Sequence, residues 1–320
     1  MKASGICGSD LHVYRGSGDA AAMGTGLSSS APIIAGHEPA GIVRELGKGV
    51  RNGSFPVGSR VMVHHYWGCT TCDQCRTGWT QMCETKRADV YGVSQHGGHA
   101  PYLKVPAATL VHLPDELSFA GGAAVSCGTG TAFGALKRLN LSGDQSIAIF
   151  GQGPVGLAAT QLATAMGAKV IAVDVNDARL AKARELGAAE IVNPMRDDPI
   201  EMIRQYTGGR GTTCALEAAG SPQARIQAIR AVKLWGTVAM VGAGGDVTID
   251  VGRDLMLRQV SMFGSWTFSL VGQLDCARFA ADRGIDLDAI FTDYWTLDQA
   301  EEAYARVDAQ AAGKAVFLIN

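Results

Sequence analysis

The chain has 320 residues, 47% of them hydrophobic and 18% charged, with 41 glycines and a formal net charge of −2. That length exceeds one ordinary domain and points to two, with enough apolar material to bury a core in each. The near-neutral balance and the absence of any Lys/Arg block exclude an electrostatic footprint for nucleic acid or anionic membrane, and no stretch approaches the roughly 20 apolar residues of a membrane span.

The N-terminus, MKASGICGSD, lacks the apolar core of a signal peptide. The eight cysteines are therefore expected in a reducing cytoplasm, where spaced thiols favour metal or catalysis over disulfides. Residues 1–127 show short strand-like pieces between glycine and cysteine clusters: Ile33-Ile34, Gly41 to Val43, Arg60 to Val63 and Tyr102 to Val105. This predicts an irregular, mostly β domain. Gly16 to Pro32 is the most loop-like part and is expected to be mobile.

Three clusters stand out in this region: Cys7, Ser9 and Asp10 with His12; Gly36-His37-Glu38; and Ser126-Cys127-Gly128. Taken singly they say little, because a lone cysteine is also a small buried hydrophobe and a lone histidine a satisfied core or surface residue. The loop GCTTCDQCRTGWTQMC is more specific, placing Cys69, Cys72, Cys75 and Cys83 in a C-x2-C-x2-C-x7-C spacing. Four thiolates on a short loop can close a tetrahedral zinc shell with no open position, which reads as structural. An iron–sulfur run would put its fourth cysteine three residues on and follow it with proline. Two disulfides are the other alternative, and the reducing context argues against them. His64, His65, His96, His99 and His112 match no ligand spacing, and Cys214 and Cys276 read as core thiols.

From residue 128 the pattern changes to alternating strand and helix, which predicts a doubly wound parallel sheet. Ile147 to Phe150 is an apolar run followed by Gly151-Gln152-Gly153-Pro154-Val155-Gly156, then a helical pattern to Met166 with Gly167 as its cap. A second strand, Val170 to Val173, ends on Asp174. A G-x-G-x-x-G between strand and helix, with an acid about 20 residues on, is a dinucleotide-binding fingerprint. The glycines serve the turn, the approach to the pyrophosphate and the packing of helix on strand, while the helix N-terminus faces the phosphates. Asp174 would bond the adenosine ribose and repel the extra phosphate of NADP, so the cofactor reads as NAD. Further strands are expected near Ile191, Ala215-Leu216, Val238 to Val241 and Met262-Phe263, with helices Asp177 to Leu186 and Pro222 to Val232 between them. A helix, Leu297 to Val307, and a strand, Ala315 to Ile319, are expected to return to the first domain, the sheet already having its six strands.

The ordered set of C-G-S-D-x-H at Cys7 to His12, G-H-E at Gly36 to Glu38, four-cysteine loop, C-G-x-x-T at Cys127, G-x-G-x-x-G and the Gly-Lys-Ala-Val of Gly313 to Val316 resembles the zinc-dependent medium-chain alcohol dehydrogenase family across nearly the whole chain. The resemblance implies an α/β fold, with a Rossmann NAD domain over 128–265 and a GroES-like catalytic domain over 1–127 and 266–320. It also implies two zinc ions per chain, the structural one and a catalytic one on Cys7, His37 and Cys127 with an open fourth position. Glu38 would lie beside that metal, and Asp10 would accept the other ring N–H of His37. Ser9 would bond the substrate oxygen and pass its proton through the nicotinamide ribose to His12. A capping serine and a surface histidine are the plainer readings of those two. Gly151, Gly153, Pro154, Val155, Gly156, Asp174 and Val241 would border the cofactor. Arg179 would stack on the adenine or else be a solvated helix charge. Trp266 and Phe268 would border the substrate pocket or simply pack.

The implied reaction is reversible hydride transfer between a primary or secondary alcohol and NAD, giving aldehyde or ketone. Cys127 as third ligand leans towards simple alcohols; polyol, sugar and amino-alcohol dehydrogenases of the same family are the alternative. Relatives are dimers or tetramers through the nucleotide domain, so a homo-oligomer is expected. The family carries a few dozen residues before C-G-S-D, and Pro101 stands where many relatives place an acid. A chain starting at Met1 is thus expected to expose strand edges in its first domain, and a catalytically impaired relative is the rival reading.

Overall fold

The computed structural model describes residues 1–15, 32–50, 53, 55–309 and 313–320. Residues 16–31 of the expected Gly16 to Pro32 loop lie outside them. The chain divides into two compact units, one of residues 1–130 and 268–320, the other of residues 131–267.

In the first unit the chain forms β1 (Ala3–Ile6), α1 (Gly8–Tyr14), β2 (Glu38–Ile42), β3 (Arg60–Val63), β4 (Tyr66–Trp67), α2 (Asp73–Arg76), β5 (Asp89–Val90), β6 (Leu110–His112) and α3 (Phe119–Val125). The helix α4 (Gly128–Arg138) then carries it into the second unit. That unit holds β7 (Ser146–Phe150), α5 (Pro154–Ala165), β8 (Lys169–Val173), α6 (Asp177–Glu185), β9 (Glu190–Val192), α7 (Pro199–Tyr206), β10 (Thr212–Glu217), α8 (Pro222–Ala231), β11 (Val232–Met240) and β12 (Ser261–Gly264). Back in the first unit come α9 (Leu270–Asp282), β13 (Phe291–Trp295), α10 (Ala300–Asp308) and β14 (Lys314–Leu318).

The second unit is a six-stranded sheet in the order β12-β11-β10-β7-β8-β9, parallel throughout. β7 and β8 are fully buried after their first residue, as strands covered by helices on both faces must be. The helices start where short polar side chains can take up the first free N–H groups. Asn176 accepts from Ala178 and Arg179, Asp198 from Ile200 and Glu201, and Ser221 from Ala224. Pro154 opens α5 at its first turn, where no N–H partner is lost.

The first unit has a six-stranded sheet in the order β13-β14-β1-β2-β3-β6. β1 lies inside it, antiparallel to β14 on one side and to β2 on the other. Its core gathers Ile6 and Leu11 with Tyr304, Ala315 and Phe317, so residues from both ends of the sequence close one cluster. Two expected strands are absent. Ile33-Ile34 and Tyr102 to Val105 have no strand assignment. Instead Gly97, Gly98 and His99 donate backbone N–H groups to Ile34, Gly36 and Ala35. Pro101 and Pro106 flank the second stretch, and neither can donate to a ladder.

Candidate functional site

The end of β1, the start of α1, the start of β2 and the end of α3 bring three ligand types together in the first unit. Ligand atoms of Cys7, His37, Glu38 and Cys127 all lie within 4.8 Å of one another. Cys7 is the residue before α1, and Asp10 in the first turn reaches back so that its Oδ2 accepts the Cys7 N–H at 2.9 Å. The other oxygen, Oδ1, is 3.0 Å from His37 Nδ1 and accepts the Gly36 N–H at 3.3 Å. Asp10 thus ties the segment of one candidate ligand to the segment of the next, and both it and His37 are buried.

A carboxylate can only accept, so His37 Nδ1 carries the proton and Nε2 presents its lone pair. That Nε2 is buried and has no hydrogen-bond partner. A buried, unpaired imidazole nitrogen between two thiols is costly unless a cation completes it. The charges of these groups depend strongly on one another. Cys7 is drawn well below its ordinary range, first by the hydrogen bond from the Cys127 thiol, then by His37, against burial. Cys127 is pushed up by that same bond and by burial. Burial opposes charge on His37, but Asp10 and Cys7 outweigh it and raise its pKa. These donors fit zinc: two sulfurs and one nitrogen are a known set for a catalytic zinc with one position left open.

Glu38 belongs to the same cluster, but its carboxylate is already paired. Lys314 Nζ lies 2.8 Å from Oε1 and 2.6 Å from Oε2, and both side chains are almost wholly buried. Burial raises the Glu38 pKa to about 7 despite the lysine. The Gly-Lys-Ala-Val ending was read only as a family trait, so this partner was missed. Pairing β14 beside β1 is what delivers it. Ser9 and His12 sit one turn apart on α1 and are both half-buried.

Two more histidines missed by spacing flank the site. His65 is buried, its ring 5.2 Å from that of His37, and its Nδ1 lies 2.8 Å from Ser126 O. His64 Nδ1 lies 3.1 Å from Gln273 Oε1, and the Gln273 amide donates to Ser126 Oγ at 3.2 Å. The residue before Cys127 is thus held through both its carbonyl and its hydroxyl. Phe268 is buried in this unit and Trp266 is partly exposed in the other. Cys276 and Cys214 are buried.

The four-cysteine loop forms a second cluster, again with all ligand atoms within 4.8 Å. Cys69 and Cys75 sulfurs are 3.9 Å apart, and Cys72 and Cys83 sulfurs 4.0 Å. Bonds of about 2.3 Å to a tetrahedral zinc put sulfurs roughly 3.8 Å apart, and a disulfide needs about 2 Å. All four are free thiols. The Thr71 hydroxyl first, with backbone N–H groups, draws Cys69 down to about 5, a thiolate at neutral pH.

In the second unit, Gly151 takes φ +88 and Gly156 packs so close that a Cβ there would meet the Gly151 carbonyl at 1.8 Å. A Cβ on Gly153 would meet nothing within 4 Å, leaving open space at the N-terminus of α5. Pro154 and Val155 open that helix, and Val241 follows β11 with its N–H on Glu217 O. The Asp174 carboxylate braces the loop: its Oδ2 accepts the Gln152 N–H at 2.5 Å and its Oδ1 the Asn176 N–H at 2.8 Å. Arg179 Nη1 lies 3.9 Å from Asp174 Oδ2. Gln152 was also missed. Buried, it donates to Ile149 O and accepts from Thr160, bracing the loop from within.

The chain is similar to known proteins over nearly its whole length. The model of the alcohol dehydrogenase GroES-like domain matches residues 1–115, and that of the zinc-binding dehydrogenase matches residues 154–281. The uncharacterised zinc-type alcohol dehydrogenase-like protein YphC of Escherichia coli (strain K12) is 37% identical over 318 residues, 99% of this chain and 89% of that protein. An L-threonine 3-dehydrogenase of Pyrococcus horikoshii is 32% identical over 99% of this chain and 89% of its own. The solved alcohol dehydrogenase TADH from Thermus sp. ATN1 superposes with a TM-score of 0.88 at 28% identity, over 100% of this chain and 91% of that one.

Proposed function

The chain belongs to the zinc-type medium-chain alcohol dehydrogenase family, and from that premise we propose that it is an NAD-dependent dehydrogenase interconverting primary or secondary alcohols with aldehydes or ketones. One observation carries the reading: a buried His37 Nε2 without a partner, aimed among the Cys7 and Cys127 sulfurs while Asp10 fixes its other nitrogen. When bound, zinc supplies Lewis acidity at the substrate oxygen and the nicotinamide supplies the hydride acceptor.

The chain's own groups do the rest. Cys7, His37 and Cys127 would hold the metal, and Asp10 at Nδ1 keeps the His37 Nε2 lone pair free to ligate it. Ser9 takes the hydrogen bond of the substrate hydroxyl, and His12 accepts the proton for release. Lys314 holds the Glu38 carboxylate beside the metal position. In the second unit, the α5 N-terminus cradles the diphosphate, and Asp174 meets the adenosine ribose and disfavours a phosphate on it. The four-cysteine loop holds a second, structural zinc, for two per chain.

We further propose a homodimer or homotetramer in the cytoplasm. Two features support assembly through the second unit. β12 is an edge strand of its sheet, and Trp235, Met256, Leu257 and Met262 are exposed there. Among the described residues, no helix is long and apolar enough to cross a membrane. A second reading, an amino-alcohol dehydrogenase, is favoured by the L-threonine 3-dehydrogenase that matches nearly the whole chain. The discriminating experiment is NADH formation over primary, secondary, polyhydric and β-amino alcohols. Highest kcat/KM on a simple alcohol supports the main reading; preference for an amino alcohol replaces it with the second; no turnover on any sinks both.

A further inference from the structure

His99, one of the histidines without a ligand spacing, stands where two ligand-bearing segments meet. Gly98 and His99 donate backbone N–H groups to Gly36 and Ala35 at 2.7 and 3.0 Å, so this segment runs alongside the approach to His37. The ring itself lies on Gly36, which has φ +94 and where a Cβ would come within 2.3 Å of His99 Cδ2. On its other side the ring meets Phe317 edge-on, with centroids 4.7 Å apart.

Both ring nitrogens are used. Nε2 lies 3.2 Å from Gly5 O, in β1 just ahead of Cys7, and Nδ1 lies 3.1 Å from the Tyr304 hydroxyl on α10. The carbonyl can only accept, so Nε2 carries the proton and Nδ1 accepts from Tyr304. Burial lowers the His99 pKa, which keeps the ring in this neutral form. One side chain therefore donates to the Cys7 segment, packs on the residue before His37, and is itself oriented from the C-terminal helix. Asp10 links the same two segments from the other side, through Cys7 N–H and through Gly36 N–H.

We propose that His99, set in one tautomer by Tyr304, is a positioning residue for the catalytic zinc site, fixing the separation of the Cys7 and His37 segments. The inference rests on the zinc reading above. A phenylalanine of similar size would fill the same space and keep the contacts with Gly36 and Phe317, but would release Gly5 and Tyr304. The role therefore resides in the hydrogen bonds, and packing alone does not supply it.

The test compares His99→Phe, Tyr304→Phe and the double variant with the natural chain. Three quantities are read: zinc per folded chain, the rate of zinc transfer to a chromogenic chelator, and the absorption bands of cobalt(II) loaded at the faster-exchanging site. His99→Phe is expected to release one of its two zinc ions about tenfold faster, in the range seen for outer-sphere partners of ligands, and to shift the cobalt bands. Tyr304→Phe should move both readings less in the same direction, and the double variant should be no worse than His99→Phe, because the tyrosine acts through the histidine. His99→Gln, which can still donate to Gly5, should recover part of the loss. Release rates and bands equal to those of the natural chain, with only a lowered unfolding midpoint, would overturn the proposal and leave His99 a packing residue. Should His99→Phe not fold, Tyr304→Phe carries the same test by removing a single oxygen. Fewer than two zinc ions in the natural chain would instead sink the zinc reading itself, and this inference with it.

Discussion

At the scale of single residues, the first unit concentrates its cost in groups that only work in company. Lys314 and Glu38 are both almost fully buried, and each is tolerable because the other is present. Removing one partner of a buried pair typically costs about 3–5 kcal/mol, whereas replacing both can be nearly neutral. Lys314→Met should therefore destabilise the chain by several kcal/mol, and Glu38→Gln added to it should recover much of that, as read by urea unfolding. A double variant no more stable than Lys314→Met would argue against the pair. In the second unit, Asp174 holds the glycine loop through Gln152 N–H, beside the ribose contact proposed for it. Asp174→Gly should raise the KM for NAD at least tenfold and raise that for NADP less. An unchanged preference would show that the carboxylate braces the loop without meeting the ribose.

At the scale of elements, the motifs were legible wherever the chemistry needs neighbours in sequence. The C-x2-C-x2-C-x7-C loop closes on itself, and the strand, glycine turn and helix from β7 to β8 form a local unit, so spacing alone finds both. What spacing could not find were partners delivered by pairing across the chain: Lys314 on Glu38, Gln273 on His64, and His99 on Gly5. Backbone pairing also overrode propensity at Ile33-Ile34, where a glycine-rich segment bonds in place of a ladder strand. The tie between His64 and α9 has a pH signature. Burial, opposed only by Gln273, lowers the His64 pKa to about 4, against about 6.5 in an unfolded chain. Above pH 6.5 both states are neutral there. As pH falls towards 4 the unfolded state takes up the proton first, so stability is lost across that window, by up to ~3 kcal/mol. His64→Asn should flatten that part of the stability profile. Equal slopes for the two chains between pH 4 and 6.5 would contradict the assignment.

At the scale of the whole molecule, the two units divide the labour: one carries both cysteine sites, the other the glycine turn and Asp174. The exposed side chains near β12 give assembly a testable address. Leu257 is 82% exposed, so a charge there costs the isolated chain little but would be buried in an assembly. Leu257→Asp should lower the mass seen by light scattering to that of a monomer without loss of zinc. An unchanged mass would move the interface elsewhere. The account as a whole turns on Cys7, His37 and Cys127 being metal ligands, and the most direct check is zinc per chain with NADH formation in the natural chain and in Cys7→Ala. Two zinc ions and turnover in the first, with one zinc ion and no turnover in the second, are the predicted results. Cys7→Ala that still held two zinc ions and still turned over would contradict it.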